Sequence, residues 1–170
     1  LRLVVVLEIK TQPYTYCIKK QKYFIMSLNK WNKILGYAGL IPFYIFSIAS
    51  MLANYNFFID IFFLYSVIIL CFLSGSLWMK LILLPQQKQN FLFKCLAVIF
   101  PLIALISELF VSYYLKIAIY ILIYILIYIC DKRTVSNGLS EYIRMRLFLT
   151  GHVILTHFIL LYTVFTYSIF

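Results

Sequence analysis

Long apolar runs separated by short charged segments dominate this sequence. Three runs contain no charged side chain: residues 34–59, 61–79 and 147–170. A fourth run, residues 95–130, contains only Glu108 and Lys116. A bilayer core about 30 Å thick requires about 20 mostly apolar residues in a helix, so each run is long enough to cross. The runs are apolar on every face, which favours helices over the alternating strands of a membrane barrel.

The fourth run is too long for one crossing. A single helix over its 36 residues would rise about 54 Å at 1.5 Å per residue, so the chain must reverse within it. The best place is residues 112–115, where Tyr113 and Tyr114 suit the membrane interface and Lys116 can extend its side chain toward the headgroups. The pattern therefore predicts an all-α membrane protein, a bundle of about five transmembrane helices, at about residues 34–53, 60–79, 91–111, 115–130 and 147–170.

The first 30 residues differ from the rest and form a basic tail before a transmembrane domain at residues 31–170. The apolar stretch from Leu3 to Leu7 is shorter than the 7–15 residues of a secretory signal. Because the chain begins with Leu, we expect translation to start at Met26, with residues 1–25 as upstream sequence.

Composition excludes the soluble classes. The 170 residues are 65% hydrophobic and only 12% charged, against roughly 25% charged residues in a soluble domain. A chain with so few charged residues cannot be a soluble enzyme or a transcription factor. Its net charge of +10 therefore does not indicate binding to nucleic acid and has another cause.

The basic residues are distributed by loop. Residues 1–33, 80–94 and 131–146 hold 14 of the 15 Lys and Arg residues, and all three segments lie on one side of a five-helix topology. The positive-inside rule then predicts an inside N-terminus and an outside C-terminus. The residues expected at the inner interface are Trp31, Trp78, Arg144 and Arg146. Such cations attract anionic lipid headgroups, so we expect the lipid bilayer and no nucleic acid among the partners.

Small residues recur at helical spacing within the predicted spans. Helices in lipid associate through faces that let their backbones approach closely. The residues predicted to pack at helix contacts are Gly36, Gly39, Pro42, Gly75, Ala97, Pro101 and Ala104. Pro42 and Pro101 are expected as kinks inside helices. Helix packing explains these stripes, and they leave a homo-oligomer or a membrane-protein partner open.

Glu108 is the main candidate for a functional buried group. It shares a helix face with Ala104, and an ionisable side chain within a span is a candidate ion or proton site. The alternative is that Glu108 is an interfacial acid or a helix-end partner of Lys116. His152 and Thr156 are candidate buried polar neighbours, and Asp60 is expected to cap the second helix.

Recognisable catalytic chemistry does not appear in the sequence. His152 and His157 lie about 140° apart around a helix, so they cannot chelate one metal from one face. The four cysteines have no paired spacing, and no phosphate loop, nucleophile elbow or zinc-protease motif occurs. We therefore expect no metal, no cofactor and no enzyme. The ridge Tyr120, Tyr124, Tyr128 indicates packing, with a quinone or lipid groove as its alternative.

Three stretches carry a family resemblance: residues 34–43 (ILGYAGLIPF), 65–78 (YSVIILCFLSGSLW) and 142–150 (YIRMRLFLT). Over about residues 31–165 the chain resembles the domain of unknown function 3429 family, which includes bacterial inner-membrane proteins and animal transmembrane protein 69. The resemblance implies a five-helix membrane protein and supplies no activity. The abundance of Ile, Lys, Asn, Phe and Tyr suits an AT-rich bacterial genome. Together with the resemblance, it leads us to expect a bacterial inner membrane, or the mitochondrial inner membrane for a eukaryotic source.

Two functions from different classes remain open. The first is a non-enzymatic polytopic inner-membrane protein that acts through membrane partners or lipids. The second is a small transporter or proton-linked channel that uses Glu108. An accessory role to a quinone or lipid enzyme is a weaker third hypothesis.

Overall fold

A computed structural model describes residues 30–52, 55–83, 91–134 and 140–169. These residues form six α-helices: α1 Lys30–Ala38, α2 Ile41–Leu52, α3 Tyr55–Leu83, α4 Phe91–Phe110, α5 Tyr113–Thr134 and α6 Ser140–Ile169. The chain divides into two compact units, Leu1–Leu35 and Gly36–Phe170, and the described part of the first unit is the helical segment 30–35. Met26 and the basic tail before residue 30 lie outside the described residues.

Five segments are long and apolar enough to cross a membrane: Lys33–Leu52, Asn56–Ile82, Phe91–Phe110, Tyr113–Thr134 and Glu141–Tyr167. The described residues contain no strand. These findings confirm the prediction of an all-α membrane protein with five spans, and the chain is an integral membrane protein.

The first span is broken, where the sequence predicts one helix. α1 ends at Ala38 and α2 begins at Ile41, and a turn hydrogen bond from Leu40 N to Tyr37 O (3.0 Å) joins them. Pro42 lacks the N–H that would continue the helical ladder across this junction, whereas the first turn of a helix tolerates a proline. Pro42 therefore lies in the first turn of α2, and the prediction of a kink inside one helix is wrong.

Two helices begin five or more residues before the predicted starts of their spans. α3 begins at Tyr55 and α6 at Ser140 instead of residues 60 and 147. Backbone hydrogen bonding continues in the polar interface, and Glu, Arg and Met are good helix formers there. Asp60 consequently lies inside α3 and does not cap it; its Oδ1 accepts a hydrogen bond from the Tyr113 hydroxyl at 3.0 Å.

Packing centres on α3, which contacts α2, α4 and α5, while α6 contacts α2 and α5. The core between them is rich in aromatic residues, and the largest fully buried rings are Phe43, Phe62, Phe63, Tyr120 and Tyr124. Large apolar side chains also cover the outside: Phe72, Leu109 and Phe110 are 71%, 71% and 81% exposed. An apolar exterior is what a helix bundle presents to lipid, where it costs no hydrophobic free energy.

Small residues lie at several of the helix contacts. Ala97 and Ala104 are buried on α4, while Pro101 is half-buried between them inside the helix. A Cβ at Gly36 would lie 3.7 Å from the side chains of Met145 and Leu149, which is ordinary contact distance.

Gly39 and Gly75 differ from Gly36 in what surrounds them. Gly39 is half-buried at the α1–α2 junction, and a Cβ there would meet the Gly36 carbonyl oxygen at 3.3 Å. Gly75 is exposed, and a Cβ there would meet nothing within 4 Å. The prediction that Gly75 packs against a neighbouring helix is therefore wrong, because the preceding residue, Ser74, faces the interior instead.

Candidate functional site

Glu108 lies near the C-terminal end of α4 and is held by residues that follow the reversal. Its Oε1 is 3.3 Å from Lys116 Nζ, and its Oε2 accepts a hydrogen bond from the Tyr120 hydroxyl at 2.9 Å. The Tyr120 hydroxyl also lies 3.1 Å from the Ala104 carbonyl oxygen. We call Glu108, Lys116 and Tyr120 the Glu108 cluster. Its carboxylate is a paired acid at the end of the bundle, with 22% of the side chain exposed.

Lys116 turns inward, where the sequence predicts that it extends toward the headgroups. Its side chain is only 5% exposed, and Nζ also donates to the Glu108 carbonyl oxygen at 3.2 Å. The ammonium lies 4.9 Å and 5.4 Å from the ring centroids of Phe63 and Tyr113. Attraction to two aromatic faces and a carboxylate replaces the water that the cation would otherwise seek.

The centre of the bundle holds a fully buried histidine, His157. Its Nδ1 is 2.8 Å from the Val153 carbonyl oxygen, which can only accept, so Nδ1 carries the proton in the neutral ring. Nε2 is then the acceptor for the Ser66 hydroxyl at 3.3 Å. The Tyr124 hydroxyl lies 3.1 Å from Ser66 Oγ and donates to the Ser66 carbonyl oxygen at 3.2 Å.

Aromatic rings surround this imidazole. The ring centroids of Phe43, Phe62, Tyr120 and Tyr124 lie 6.1, 4.9, 6.2 and 5.7 Å from that of His157. We call Phe43, Phe62, Ser66, Tyr124 and His157 the His157 cluster. Its polar side-chain atoms bond to one another or to the Val153 and Ser66 carbonyl oxygens, which makes it a structural junction of α2, α3, α5 and α6.

The other two candidate polar residues do not join Glu108. The half-buried His152 contacts α2, where its Nδ1 is 2.6 Å from the Tyr44 hydroxyl. The Thr156 hydroxyl is fully buried and donates to the Val153 carbonyl oxygen of its own helix at 2.8 Å. The structure thus links Glu108 to Lys116 and Tyr120, and it assigns His152 and Thr156 to helix packing.

A second group of charges lies at the opposite end of α5, and sequence reasoning missed it. The Asp131 side chain is 1% exposed, with Oδ1 2.8 Å from Lys80 Nζ and Oδ2 2.9 Å from Arg146 Nη2. The Tyr142 hydroxyl lies 3.2 Å from Oδ2 and also contacts Lys80. Arg146 donates from Nε to the Tyr142 oxygen (2.7 Å) and from Nη2 to Ser76 Oγ (3.1 Å).

We call this group the Asp131 cluster; its members are Ser76, Lys80, Asp131, Tyr142 and Arg146. It joins α3, α5 and α6 through one carboxylate and two cations. Arg146 is predicted as an interfacial residue, but its side chain is 10% exposed because Asp131 draws it into the bundle. Arg144, two residues earlier, is exposed, and Trp78 on α3 is 39% exposed. The Trp31 side chain lies outside the described residues.

The remaining sequence candidates are distributed without a reactive centre in the described part of the chain. Cys71, Cys95 and Cys130 are free thiols, and no group of three His, Cys, Asp or Glu residues could hold a metal among the residues described. Two tyrosines of the predicted ridge, Tyr120 and Tyr124, are buried in the core, so that ridge does not line a lipid-facing groove.

An apolar groove runs instead along α2. Its volume is about 500 Å³, it opens to the outside of the bundle, and seven residues line it: Leu40, Ile41, Tyr44, Ile45, Ile48, Ala49 and Leu52. The small side chain of Ala49 between longer ones leaves room for apolar groups from the membrane.

Comparison with known protein families gives a match over most of the chain. The family model described as Protein of unknown function (DUF3429) matches residues 28–162, which is most of the 170 residues. No curated protein and no solved structure matches the chain. The family match covers all five spans or the greater part of each, and the chain therefore belongs to the DUF3429 family.

Proposed function

We propose that this protein is a non-enzymatic membrane protein that acts through its contacts with lipids and with the helices of membrane partners. We further propose a bacterial inner membrane, with the N-terminus inside and the C-terminus outside. In this orientation the Asp131 cluster lies at the cytoplasmic end and the Glu108 cluster at the outer end.

One observation supports this proposal above the others: the buried polar side chains of the bundle form hydrogen bonds within the protein. Among the described residues, Ser74 Oγ is the one buried side-chain nitrogen or oxygen atom without a hydrogen-bond partner. A transport path through the bundle needs buried polar groups that a substrate can reach, and here the buried side-chain atoms of the Glu108, His157 and Asp131 clusters all have partners within the protein.

The surfaces left for contact are apolar helix faces and one basic end. On α4, for example, Leu102, Leu105, Ile106 and Leu109 are all more than half exposed. The α2 groove adds a concave apolar surface. Acyl chains, a second copy of this chain or an apolar partner helix can pack on such surfaces through van der Waals contact.

The deciding experiment is extraction of the full-length protein from its native membrane in a polymer that keeps the surrounding lipid. We expect defined lipids or a stoichiometric membrane partner to remain bound through size exclusion, measured by mass spectrometry. Recovery of the protein with only the average lipid composition of the membrane and no partner would contradict the proposal.

The Glu108 cluster supports a second candidate, a proton-linked transporter. The Tyr120 hydroxyl bonds to Glu108 at 2.9 Å, and the Tyr120 ring contacts His157, so polar groups extend from the outer end into the core. This arrangement offers a carboxylate and a buried imidazole, the groups that intramembrane proton relays use.

A Glu108→Gln variant separates the two candidates. Because our first proposal treats Glu108 as a structural partner of Lys116, we expect proteoliposomes of the wild type and of the variant to show the same proton flux as empty vesicles. The measurement is a pH-sensitive dye inside the vesicles. A wild-type flux above background that Glu108→Gln removes, and that the exposed-acid control Glu141→Gln retains, would establish the transporter and overturn the first proposal.

A further inference from the structure

The Asp131 cluster carries more positive than negative charge. Lys80 and Arg146 both contact the single carboxylate of Asp131, and both cations lie partly or mostly inside the bundle. Four more basic side chains belong to this end of the described helices: Lys94, Lys132, Arg133 and Arg144. The other acid here, Glu141, is exposed. This end of the bundle therefore has an excess of cations, and because Arg146 and much of Lys80 lie away from water, a bound anion is favoured there.

Lys80 is the most exposed of the three charged side chains, and Arg146 and Asp131 lie deeper. The Lys80 side chain is 31% exposed and that of Arg146 is 10%, whereas that of Asp131 is 1%. The Lys80 ammonium has three N–H donors and uses two of them, toward Asp131 and Tyr142. Arg146 uses Nε and Nη2 within the cluster, so its two Nη1 donors, which bond to none of the described residues, remain for a ligand.

The position of the cluster identifies the class of anion. Lys80 lies in the last turn of α3, two residues after the half-exposed Trp78, and Arg146 lies in the second turn of α6. Exposed apolar side chains follow immediately on the membrane side, including Met79 (56%) and Leu147 (54%). A ligand held here has its charge at the headgroup level and its apolar part against the helices.

We propose that Lys80 and Arg146 bind the phosphate of an anionic glycerophospholipid, with Asp131 and Tyr142 positioning the two cations. Lys80 donates one charge-assisted hydrogen bond to a phosphate oxygen, and Arg146 donates from Nη1. The inference rests on the proposed function, in which lipid contact is the activity, and it names one lipid class and one site for it.

The test is native mass spectrometry of the purified full-length protein in detergent, titrated with phosphatidylglycerol or phosphatidylcholine. We expect the wild type to retain phosphatidylglycerol at least tenfold more tightly, because a charge-assisted hydrogen bond to phosphate is worth about one decade of affinity or more. Lys80→Gln should lose most of this preference, and Lys80→Arg should keep it. Lys132→Gln, which removes an exposed cation of the same end, should change retention less than twofold.

Five outcomes overturn the inference: equal retention of the two lipids, unchanged retention in Lys80→Gln, loss of the preference in folded Lys80→Arg, an equal loss in Lys132→Gln, or displacement of the lipid by millimolar inorganic phosphate. The last result would assign the site to a soluble anion. A thermal melt shows whether each variant still folds. If Lys80→Gln does not fold, the result for Lys80→Arg decides, because loss of the preference for phosphatidylglycerol in this folded variant counts against the site. If the lipid titration fails, extraction from the native membrane can still recover other bound lipids or a partner. Failure of this inference is therefore distinguishable from failure of the proposed function.

Discussion

Replacement of Asp131 by asparagine should destabilise the bundle by about 3 kcal/mol, because removal of the carboxylate leaves the buried cation of Arg146 and the half-buried cation of Lys80 uncompensated. Asparagine has nearly the same shape and can still accept a hydrogen bond, so the effect measures the charge. Lys80 and Arg146 would then repel each other across a neutral amide at the junction of α3, α5 and α6. The measurement is the free energy of unfolding in mixed detergent and SDS micelles, followed by tryptophan fluorescence or circular dichroism.

Asp60→Asn is the matched control for this change. Asp60 is exposed at the other end of α3 and has one hydrogen bond, from the Tyr113 hydroxyl at 3.0 Å. An exposed acid of this kind contributes about 1 kcal/mol or less. Equal losses for Asp60→Asn and Asp131→Asn would show that the buried cluster contributes no more than a surface contact.

The sequence determines the number of spans because membrane partition depends on composition over about 20 residues, which a single sequence displays directly. The ends of the helices depend on something else. Hydrogen bonding continues wherever the next residue tolerates helical geometry, as it does from Ser140 to Arg146. The first span breaks before Pro42, whereas α4 continues past Pro101, so a proline alone does not fix a helix end. Charge-free runs locate the part of a helix inside the hydrocarbon and not its termini.

The two ionic sites differ in how local they are. Glu108 and Lys116 flank a reversal of a few residues, so their pairing follows from a short stretch of sequence. The Asp131 cluster combines side chains from three helices: Lys80, Asp131 and Arg146. Basic residues in these segments are also expected from the positive-inside rule, so their presence alone does not indicate an ion pair. The i, i+4 spacing of Tyr142 and Arg146 was a usable signal, because it puts a hydroxyl and a guanidinium on one helix face.

The choice between His152 and His157 was also beyond the sequence. The two lie about 140° apart on α6, so one can face the centre of the bundle while the other faces its edge. Which of them does so depends on where α2 and α3 pack against α6. His157 faces Ser66 of α3, and His152 faces Tyr44 of α2.

We expect the second large loss of stability from a substitution in the aromatic core around His157. Phe43 on α2 is 1% exposed, and its ring contacts those of Phe62, Tyr65, Tyr124 and His157 at centroid distances of 4.8 to 6.5 Å. It is the ring through which α2 meets three other helices. Lipid is as apolar as phenylalanine, so the ring stabilises the bundle through packing and edge-to-face contact and not through removal from water.

Phe43→Ala should therefore destabilise the protein by about 3 kcal/mol, the low end for a buried phenylalanine, because the cavity term remains while the transfer term largely disappears in lipid. The same unfolding assay measures it. Phe72→Ala is the control: Phe72 is 71% exposed on α3, and lipid fills the space that its ring vacates, so we expect a change below about 0.5 kcal/mol. If both substitutions lower the free energy of unfolding equally, packing in the aromatic core does not join α2 to the other helices. The stability would then come from the insertion of the separate helices into lipid.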